Sequence, residues 1–270
     1  TSKADLVIGL GYDPVEYNYE SWMPDVPLVH FDTVKTEMPH AGAIQVISSP
    51  RAWFEAMRDL RGSEEMMTIA GEVRTSIRKD VTELSNRFTP VTVVSTLNDV
   101  LPRDAIVTAD VGSHLHLLGQ LLDLSEPGKL IMTNGWSSMG FGLPAANAAA
   151  MCRPEIPVVC ITGDGGFMMS AGEIMTARRN GLKVIVVVLA DRELNLIKVK
   201  EEWKGIKQYG TQLYSGSLFA SGSFLGISVV RVDSGYGMQN ALREALISEK
   251  STIIEAAVDP AAYSKLVVRG

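Results

Sequence analysis

Two aspartates and a short run of glycines near the middle of the chain are the residues best suited to chemistry. Asp164 lies in the sequence Gly163-Asp164-Gly165-Gly166, and Asp191 follows one strand–helix–strand unit later. Carboxylate oxygens are the ligands that Mg²⁺ prefers, and glycine amides at a helix N-terminus bind phosphate oxygens. The pattern therefore predicts a site for Mg²⁺ and a diphosphate. The alternative is an ordinary strand-to-helix turn, with Asp191 as a helix cap.

The segments around these aspartates predict a βαβ unit. Residues 158–162 form an apolar run, residues 168–179 have helical periodicity, and residues 184–189 are rich in β-branched side chains. The two strands should be parallel and buried, and ligands bind beyond the carboxyl ends of such strands. Asp164 and Asp191 each follow such an end, so we expect their side chains to converge.

Two other segments have the features of ligand-binding turns. A predicted buried strand, residues 104–110, is followed by a turn and a helix, an arrangement that binds anions. That turn contains Gly112, Ser113 and His114. Residues 134–144 form a loop rich in glycine and serine around a methionine, Met139, and such a loop permits close approach of a flat ligand. The alternative is that this methionine only fills the core.

These three motifs, and the order in which they occur along the chain, resemble those of thiamine-diphosphate enzymes of the acetolactate synthase-like family. In that family a Gly-Asp-Gly motif is followed by an Asn-Asn pair, whereas here the closing pair is Ala190-Asp191. Catabolic acetolactate synthases also carry aspartate at the second, metal-binding position. The resemblance therefore implies that Asp164, Asp191 and the backbone carbonyl of Glu193 bind Mg²⁺.

The same resemblance implies a full set of contacts with thiamine diphosphate. The two glycine-containing turns would bind the diphosphate, and Met139 would hold the thiamine in its bent shape. The Ser137 carbonyl and the Met139 amide would bind the aminopyrimidine ring. The implied cofactor-binding residues are Gly112, Ser113, His114, Ser137, Met139, Gly163, Asp164, Gly165, Gly166, Asp191 and Glu193.

The remaining patterns predict an α/β chain with two regions. Residues 1–62 contain three short strands and one helix, which indicate a partial Rossmann-like central domain. Because that domain is about twice as long in the family, we expect the sequence to begin inside it. Residues 63–88 predict a linker helix, and residues 89–270 predict a doubly wound parallel sheet that forms the diphosphate-binding domain. Within it, residues 218–225 predict a helix of small residues.

Composition excludes some classes of partner. A net charge of −6 gives no basic footprint for nucleic acid or an anionic membrane, and no apolar run is long enough to span a bilayer. Cys152 and Cys160 lack the spacing of metal ligands, so we expect buried free thiols in a reducing compartment. The sequence therefore predicts a cytoplasmic protein.

By resemblance, the activity would be that of a thiamine-diphosphate- and Mg²⁺-dependent lyase or transferase acting on 2-oxo acids. Residues 11–14, the Gly-Ser-His turn and Asp191 resemble catabolic acetolactate synthase, which decarboxylates pyruvate and joins it to a second pyruvate. Residues 192–197 lack the aromatic residue that those enzymes have after the metal ligand. A 2-oxo acid decarboxylase and a non-catalytic cofactor-binding or assembly module are therefore retained as alternatives.

Enzymes of this family also need a glutamate that hydrogen-bonds to the aminopyrimidine ring. It is supplied by the N-terminal domain of a neighbouring subunit, whereas Glu155, Glu173 and Glu193 all lie within the predicted diphosphate-binding domain, at unsuitable positions. We therefore expect a homo-oligomer, dimer or tetramer, and a chain that alone holds metal and diphosphate without turning over. No catalytic residue is assigned within this chain.

Overall fold

The computed structural model describes residues 4–12, 25–38, 42–82, 87–124, 126–133 and 136–266. Parts of four predicted segments lie outside these residues: positions 13–14 after the first strand, position 41 of the third strand, positions 83–86 of the linker and positions 134–135 of the methionine loop. Tertiary contacts divide the chain into two compact units, formed mainly by residues before and after position 71.

The smaller unit is a three-stranded parallel sheet, and one short helix follows its last strand in the sequence. Its strands are β1 (Val7–Leu10), β2 (Leu28–Asp32) and β3 (Ile44–Ile47), hydrogen-bonded in that order. Helix α1 (Pro50–Ala56) begins after Ser49, whose hydroxyl accepts a hydrogen bond from the Ala52 amide, and proline at the first helical position suits this start. The following helix, α2 (Glu64–Thr82), occupies most of the predicted linker segment.

The larger unit is built on a seven-stranded sheet of described residues, in the order β5-β4-β6-β7-β10-β9-β8. All neighbouring strands are parallel except β8, which pairs antiparallel with β9. Its elements are α3 (Pro90–Val100), β4 (Ile106–Ala109), α4 (Ser113–Leu121), β5 (Leu130–Met132), α5 (Gly142–Cys152), β6 (Val158–Gly163), α6 (Asp164–Ser170), a 3-10 turn (Ala171–Glu173), α7 (Ile174–Arg179), β7 (Ile185–Leu189), α8 (Asn195–Trp203), β8 (Ser223–Phe224), β9 (Ile227–Val232), α9 (Gly235–Ile247), β10 (Thr252–Ala256), a second 3-10 turn (Pro260–Ala262) and α10 (Tyr263–Leu266).

Helices cover both faces of this sheet. Along β7, Ile185 and Val187 pack into a core formed with α3, α4 and α9, whereas Val186 and Val188 pack into a second core formed with α5, α6 and α7. This alternation is why the strand is apolar at every position. The predicted doubly wound α/β fold is confirmed, and residues 1–62 contain the three short strands and the helix predicted for them, in a parallel sheet consistent with a Rossmann-like unit.

Three local predictions were wrong. Residues 218–225 do not form a helix, because Glu255 of β10 holds this segment as a loop that ends in β8. Its carboxylate accepts hydrogen bonds from the Ser217 hydroxyl (2.6 Å) and the Leu218 amide (2.7 Å). The helix predicted at 168–179 is broken by the 3-10 turn and begins earlier, at Asp164.

The third correction concerns the thiols. Both cysteines are free, and Cys160 is buried within β6, but Cys152 is exposed at the end of α5. In the described part of the chain, no helix is long and apolar enough to cross a membrane.

Candidate functional site

A cavity opens in the larger unit beyond the carboxyl ends of the central strands. β4, β6 and β7 are neighbours in the sheet, and the residues that follow each of them line the cavity. All of the predicted cofactor-binding residues except Ser137 line it: Gly112, Ser113, His114, Met139, Gly163, Asp164, Gly165, Gly166, Asp191 and Glu193. The structure therefore brings together the three motifs that lie far apart in the sequence.

The register of β6 and β7 explains why the two aspartates meet. Gly163, the last residue of β6, lies beside Leu189, the last residue of β7. Asp164 then begins α6, and Asp191 follows β7 by two positions, so both side chains enter the cavity at one edge of the sheet. Both are buried, with 2% of Asp164 and 9% of Asp191 exposed.

The Asp164 carboxylate is held by three donors. One oxygen, Oδ1, accepts a hydrogen bond from the Gly165 amide (2.8 Å), and Oδ2 accepts from the Arg192 amide (2.7 Å) and the Tyr214 hydroxyl (2.9 Å). Burial raises the pKa of Asp164, and these hydrogen bonds counteract part of that change. The side chain is thus fixed in orientation while its charge is poorly solvated.

The pKa of Asp191 is perturbed more strongly than that of Asp164. Asp191 Oδ1 accepts a hydrogen bond from the Glu193 amide (3.0 Å). Burial, and then repulsion from Asp164, raise the pKa of Asp191 to about 7. A divalent cation between the two carboxylates would offset both effects, because it neutralises the paired charges. The arrangement is therefore suited to a cation.

The third predicted metal ligand is a backbone atom. The Glu193 side chain forms an ion pair with Lys198 (2.5 Å), so it is already engaged on the side of α8. Within the ranges that the structure describes, no group of three or more histidine, cysteine, aspartate or glutamate side chains is arranged as a metal site. A cation here would depend on two carboxylates, backbone oxygen and oxygens of its ligand.

A short antiparallel pairing holds the second aspartate in place. The Leu194 amide donates to the Thr211 carbonyl (2.8 Å), and the Leu213 amide donates to the Arg192 carbonyl (2.9 Å). Arg192 has a left-handed backbone conformation, with φ of 70°, which is uncommon for a residue other than glycine and is found at functional sites. This conformation accompanies the hydrogen bond from the Arg192 amide to Asp164.

A second part of the cavity wall offers groups for an anion. Ser113 and His114 are both 4% exposed at the N-terminus of α4, and Ser113 Oγ and His114 Nε2 have no hydrogen-bond partner among the described residues. Burial lowers the pKa of His114 to about 4, although the charge of Asp110 and a hydrogen bond to the Asp110 backbone act the other way. A side chain on Gly112 would collide with the imidazole, since its Cβ would lie 2.8 Å from the ring.

Sequence reasoning missed Asp110, which connects the three motifs. Its Oδ1 accepts hydrogen bonds from the Val111 amide (2.7 Å) and the Gly140 amide (2.9 Å), and its Oδ2 accepts from the Thr162 hydroxyl (3.0 Å). A Cβ on Gly166 would overlap Oδ2, so only glycine fits there. The available signal was its position as the last residue of a predicted strand that enters a glycine turn.

The methionine loop meets the cavity at one point. Met139 lines it, and a Cβ on Gly165 would lie 3.2 Å from Met139 Cε and 2.9 Å from Leu194 Cδ2, so glycine lets these two side chains close over the turn. Ser137 lies on the exposed part of the loop, has φ of 47°, and does not line the cavity. Its proposed carbonyl contact stays a prediction.

Sequence reasoning also missed Asn195. It was assigned only to a helix, yet it is the first residue of α8, is 7% exposed and lines the cavity beside Asp191. A polar amide at a helix start that follows a strand end was the available signal.

The sequence is also similar to those of known proteins that have a thiamine pyrophosphate-binding domain. Residues 110–256, just over half of the chain, match the family described as thiamine pyrophosphate enzyme, C-terminal TPP binding domain. The "Acetolactate synthase" of Bacillus subtilis is 25% identical over 95% of this chain and 47% of its own length. A "Probable acetolactate synthase large subunit" of Methanococcus aeolicus is 27% identical over 100% and 49%, and the "Acetolactate synthase isozyme 3 large subunit" of Escherichia coli is 30% identical over 79% and 38%.

The chain thus spans half or less of the length of these curated relatives. The matched segment runs from Asp110, directly after β4, to Ala256, at the end of β10, and so contains the cavity residues of all three motifs. The chain belongs to the family of thiamine pyrophosphate enzymes, through their C-terminal TPP-binding domain.

Proposed function

We propose that this chain is the diphosphate-binding part of a thiamine-diphosphate- and Mg²⁺-dependent enzyme that decarboxylates a 2-oxo acid and joins it to a second one, as acetolactate synthases do. The observation that carries the proposal is one cavity lined by two buried carboxylates and by two buried polar groups, Ser113 Oγ and His114 Nε2, without a hydrogen-bond partner among the described residues. Such a cavity suits a cation bridged to a diphosphate.

Each wall has its own part in holding the cofactor. Asp164, Asp191 and the Glu193 carbonyl would bind Mg²⁺, whose remaining positions would be filled by phosphate and water oxygens. Ser113 and His114 would bind the diphosphate at the N-terminus of α4. A bound anion favours the protonated imidazole, whose Nε2 then donates a hydrogen bond to a phosphate oxygen.

The thiamine end would lie against the methionine loop. Met139 would support the bent cofactor, with the Ser137 carbonyl on the same loop as a contact for the aminopyrimidine. Thiamine diphosphate, when bound, would supply a carbon nucleophile that adds to the carbonyl of a 2-oxo acid, and a cationic ring that accepts the electron pair released when carbon dioxide leaves. The apolar side chains of Leu194 and Leu196 would exclude water from this end of the cavity.

The activating glutamate would come from a neighbouring subunit. Among the cavity-lining residues, all of them described, Glu193 is the one glutamate, and its carboxylate is paired with Lys198. We therefore propose a homo-oligomer, dimer or tetramer, in which another domain completes the site. The chain alone would bind the cofactor without measurable release of carbon dioxide from pyruvate.

Calorimetry tests this proposal directly. Thiamine diphosphate should bind the chain with heat that disappears when Mg²⁺ is replaced by EDTA. The absence of any heat would indicate a non-catalytic module with a vestigial site. Turnover of pyruvate by the chain alone would contradict the assignment of the glutamate to another domain. In an active complex with an N-terminal domain, acetolactate as product supports the carboligase and acetaldehyde supports the alternative decarboxylase.

A further inference from the structure

The start of α8 forms a wall of the cavity that no motif accounts for. Asn195 is the first residue of this nine-residue helix, so its backbone lies where the helix dipole favours an anion. The side chain does not point to solvent, because it is 7% exposed and lines the cavity together with Asp164 and Asp191. A buried amide at this position is expected to donate to a hydrogen-bond acceptor.

The protein itself satisfies this amide only in part. The Asn195 side chain interacts with the Asp191 carboxylate and favours its charged form, yet Nδ2 makes no hydrogen bond of good geometry with any described residue. A buried donor without an acceptor is rare in folded proteins, because it loses its water without gaining a replacement. The unpartnered atom therefore points to an acceptor that enters the cavity from outside.

The chemistry of the cavity indicates which acceptor this is. Ser113 Oγ and His114 Nε2 are buried and unpartnered at the start of α4, while Asn195 Nδ2 is buried and unpartnered at the start of α8. Two helix N-termini thus line one cavity, each with an unsatisfied polar side chain. An anion with several oxygens can accept hydrogen bonds from both the Ser113 hydroxyl and the Asn195 amide, whereas neither an apolar nor a cationic ligand can accept from that amide.

We infer that the Asn195 side-chain amide donates a hydrogen bond to the terminal phosphate of the diphosphate, next to the cation held by Asp191. The inference rests on the proposed function and adds a binding residue to it. The competing explanation is that Asn195 acts only through Asp191, by stabilising its charge for the cation. The two differ in what happens once the cation site is saturated.

The experiment measures thiamine diphosphate binding by calorimetry at saturating Mg²⁺, for the unmodified chain and for Asn195→Ala. We expect affinity to fall about ten-fold, as for the loss of one hydrogen bond to a charged group. Asn195→Asp, which has nearly the same shape, should lose more, because it places a negative charge against the phosphate. Asn180→Ala removes an exposed amide at the end of α7, outside the cavity, and serves as the matched control.

Mn²⁺ binding without thiamine diphosphate, followed by electron paramagnetic resonance, separates the two explanations. A loss of cofactor affinity that persists at saturating Mg²⁺, with Mn²⁺ affinity within about two-fold, supports the phosphate contact. A loss that disappears at saturating Mg²⁺ overturns it in favour of action through Asp191. Equal affinity of all three chains for the cofactor also overturns it, whereas no binding by the unmodified chain refutes the proposed function instead. If Asn195→Ala does not fold, Asn195→Asp decides between the same outcomes.

Discussion

Replacing Asp191 with asparagine should stabilise the metal-free chain at alkaline pH. Burial and the charge of Asp164 raise the pKa of Asp191 from 3.8 to about 7. In the unfolded chain this carboxyl titrates near its ordinary value, so between these two pH values the folded chain keeps a proton that the unfolded chain has lost. The stabilising effect of the protonated group is complete below about pH 4 and lost as the pH rises through 7.

The size of this effect follows from the same values. A pKa higher by about three corresponds to at most about 4 kcal/mol of unfolding free energy, since one pH unit is about 1.4 kcal/mol. An asparagine cannot ionise and keeps the shape of the side chain. At pH 8 in EDTA, Asp191→Asn should therefore unfold with a free energy higher than that of the unmodified chain by about 1–4 kcal/mol.

The assay is urea unfolding followed by circular dichroism, at pH 4.5 and at pH 8, with EDTA present. The quantity compared is the difference in unfolding free energy between the variant and the unmodified chain. His114, whose pKa is lowered, affects stability at low pH equally in both chains, so its contribution cancels in this difference. Asp104→Asn, at an exposed position outside the cavity, is the control. Because an asparagine carbonyl oxygen can also bind a divalent cation, the variant should still bind thiamine diphosphate with Mg²⁺.

Two results would refute this reasoning. If Asp191→Asn were no more stable than the unmodified chain at pH 8, burial and the charge of Asp164 would not destabilise the ionised Asp191 carboxylate as described. If the difference in unfolding free energy were the same at both pH values, the effect would come from packing and not from ionisation.

Three further outcomes are expected. Gly166→Ala should lower the free energy of unfolding by about 2 kcal/mol or more in a urea titration, because its Cβ would overlap the Asp110 carboxylate, whereas Gly172→Ala, with open space at the Cβ, should change it little. Tyr214→Phe should weaken Mn²⁺ binding about three- to ten-fold by electron paramagnetic resonance, since it removes the hydroxyl that orients Asp164. Removal of Mg²⁺ with EDTA should lower the affinity of the unmodified chain for thiamine diphosphate at least 100-fold in calorimetry, because diphosphate and carboxylates then repel one another.

The elements that position the aspartates could be predicted because their cause is local. Residues 184–189 are apolar at every position, which is typical of a strand covered on both faces, and such strands occur in parallel sheets. Once β6 and β7 are parallel neighbours, Asp164 and Asp191 must emerge at the same edge. The convergence of the two carboxylates therefore followed from periodicity and from one general rule about ligand position.

Other features depend on contacts that local pattern does not contain. Small residues at 218–225 suggested a helix, but Glu255, more than thirty positions later, binds Ser217 and the Leu218 amide and holds the segment as a loop. Asp110 was overlooked for the same reason, because its partners Gly140 and Thr162 lie in other motifs. The role of a buried carboxylate can be assigned only when its hydrogen-bond donors are known.

The acidic pair also links cofactor loading to folding. Asp164 and Asp191 are buried together, and the pKa of each is raised, so the metal-free fold is held in place against their repulsion. The donors that hold Asp164, from Arg192 and Tyr214, fix its position without neutralising its charge. A cation that binds only the folded chain adds a stabilisation of RT ln(1 + [L]/Kd), about 2.7 kcal/mol at 100 times Kd. The same cation also relieves the repulsion, so the increase in Tm on adding Mg²⁺ and thiamine diphosphate should be larger at pH 8, above the pKa of Asp191, than at pH 5.5, below it.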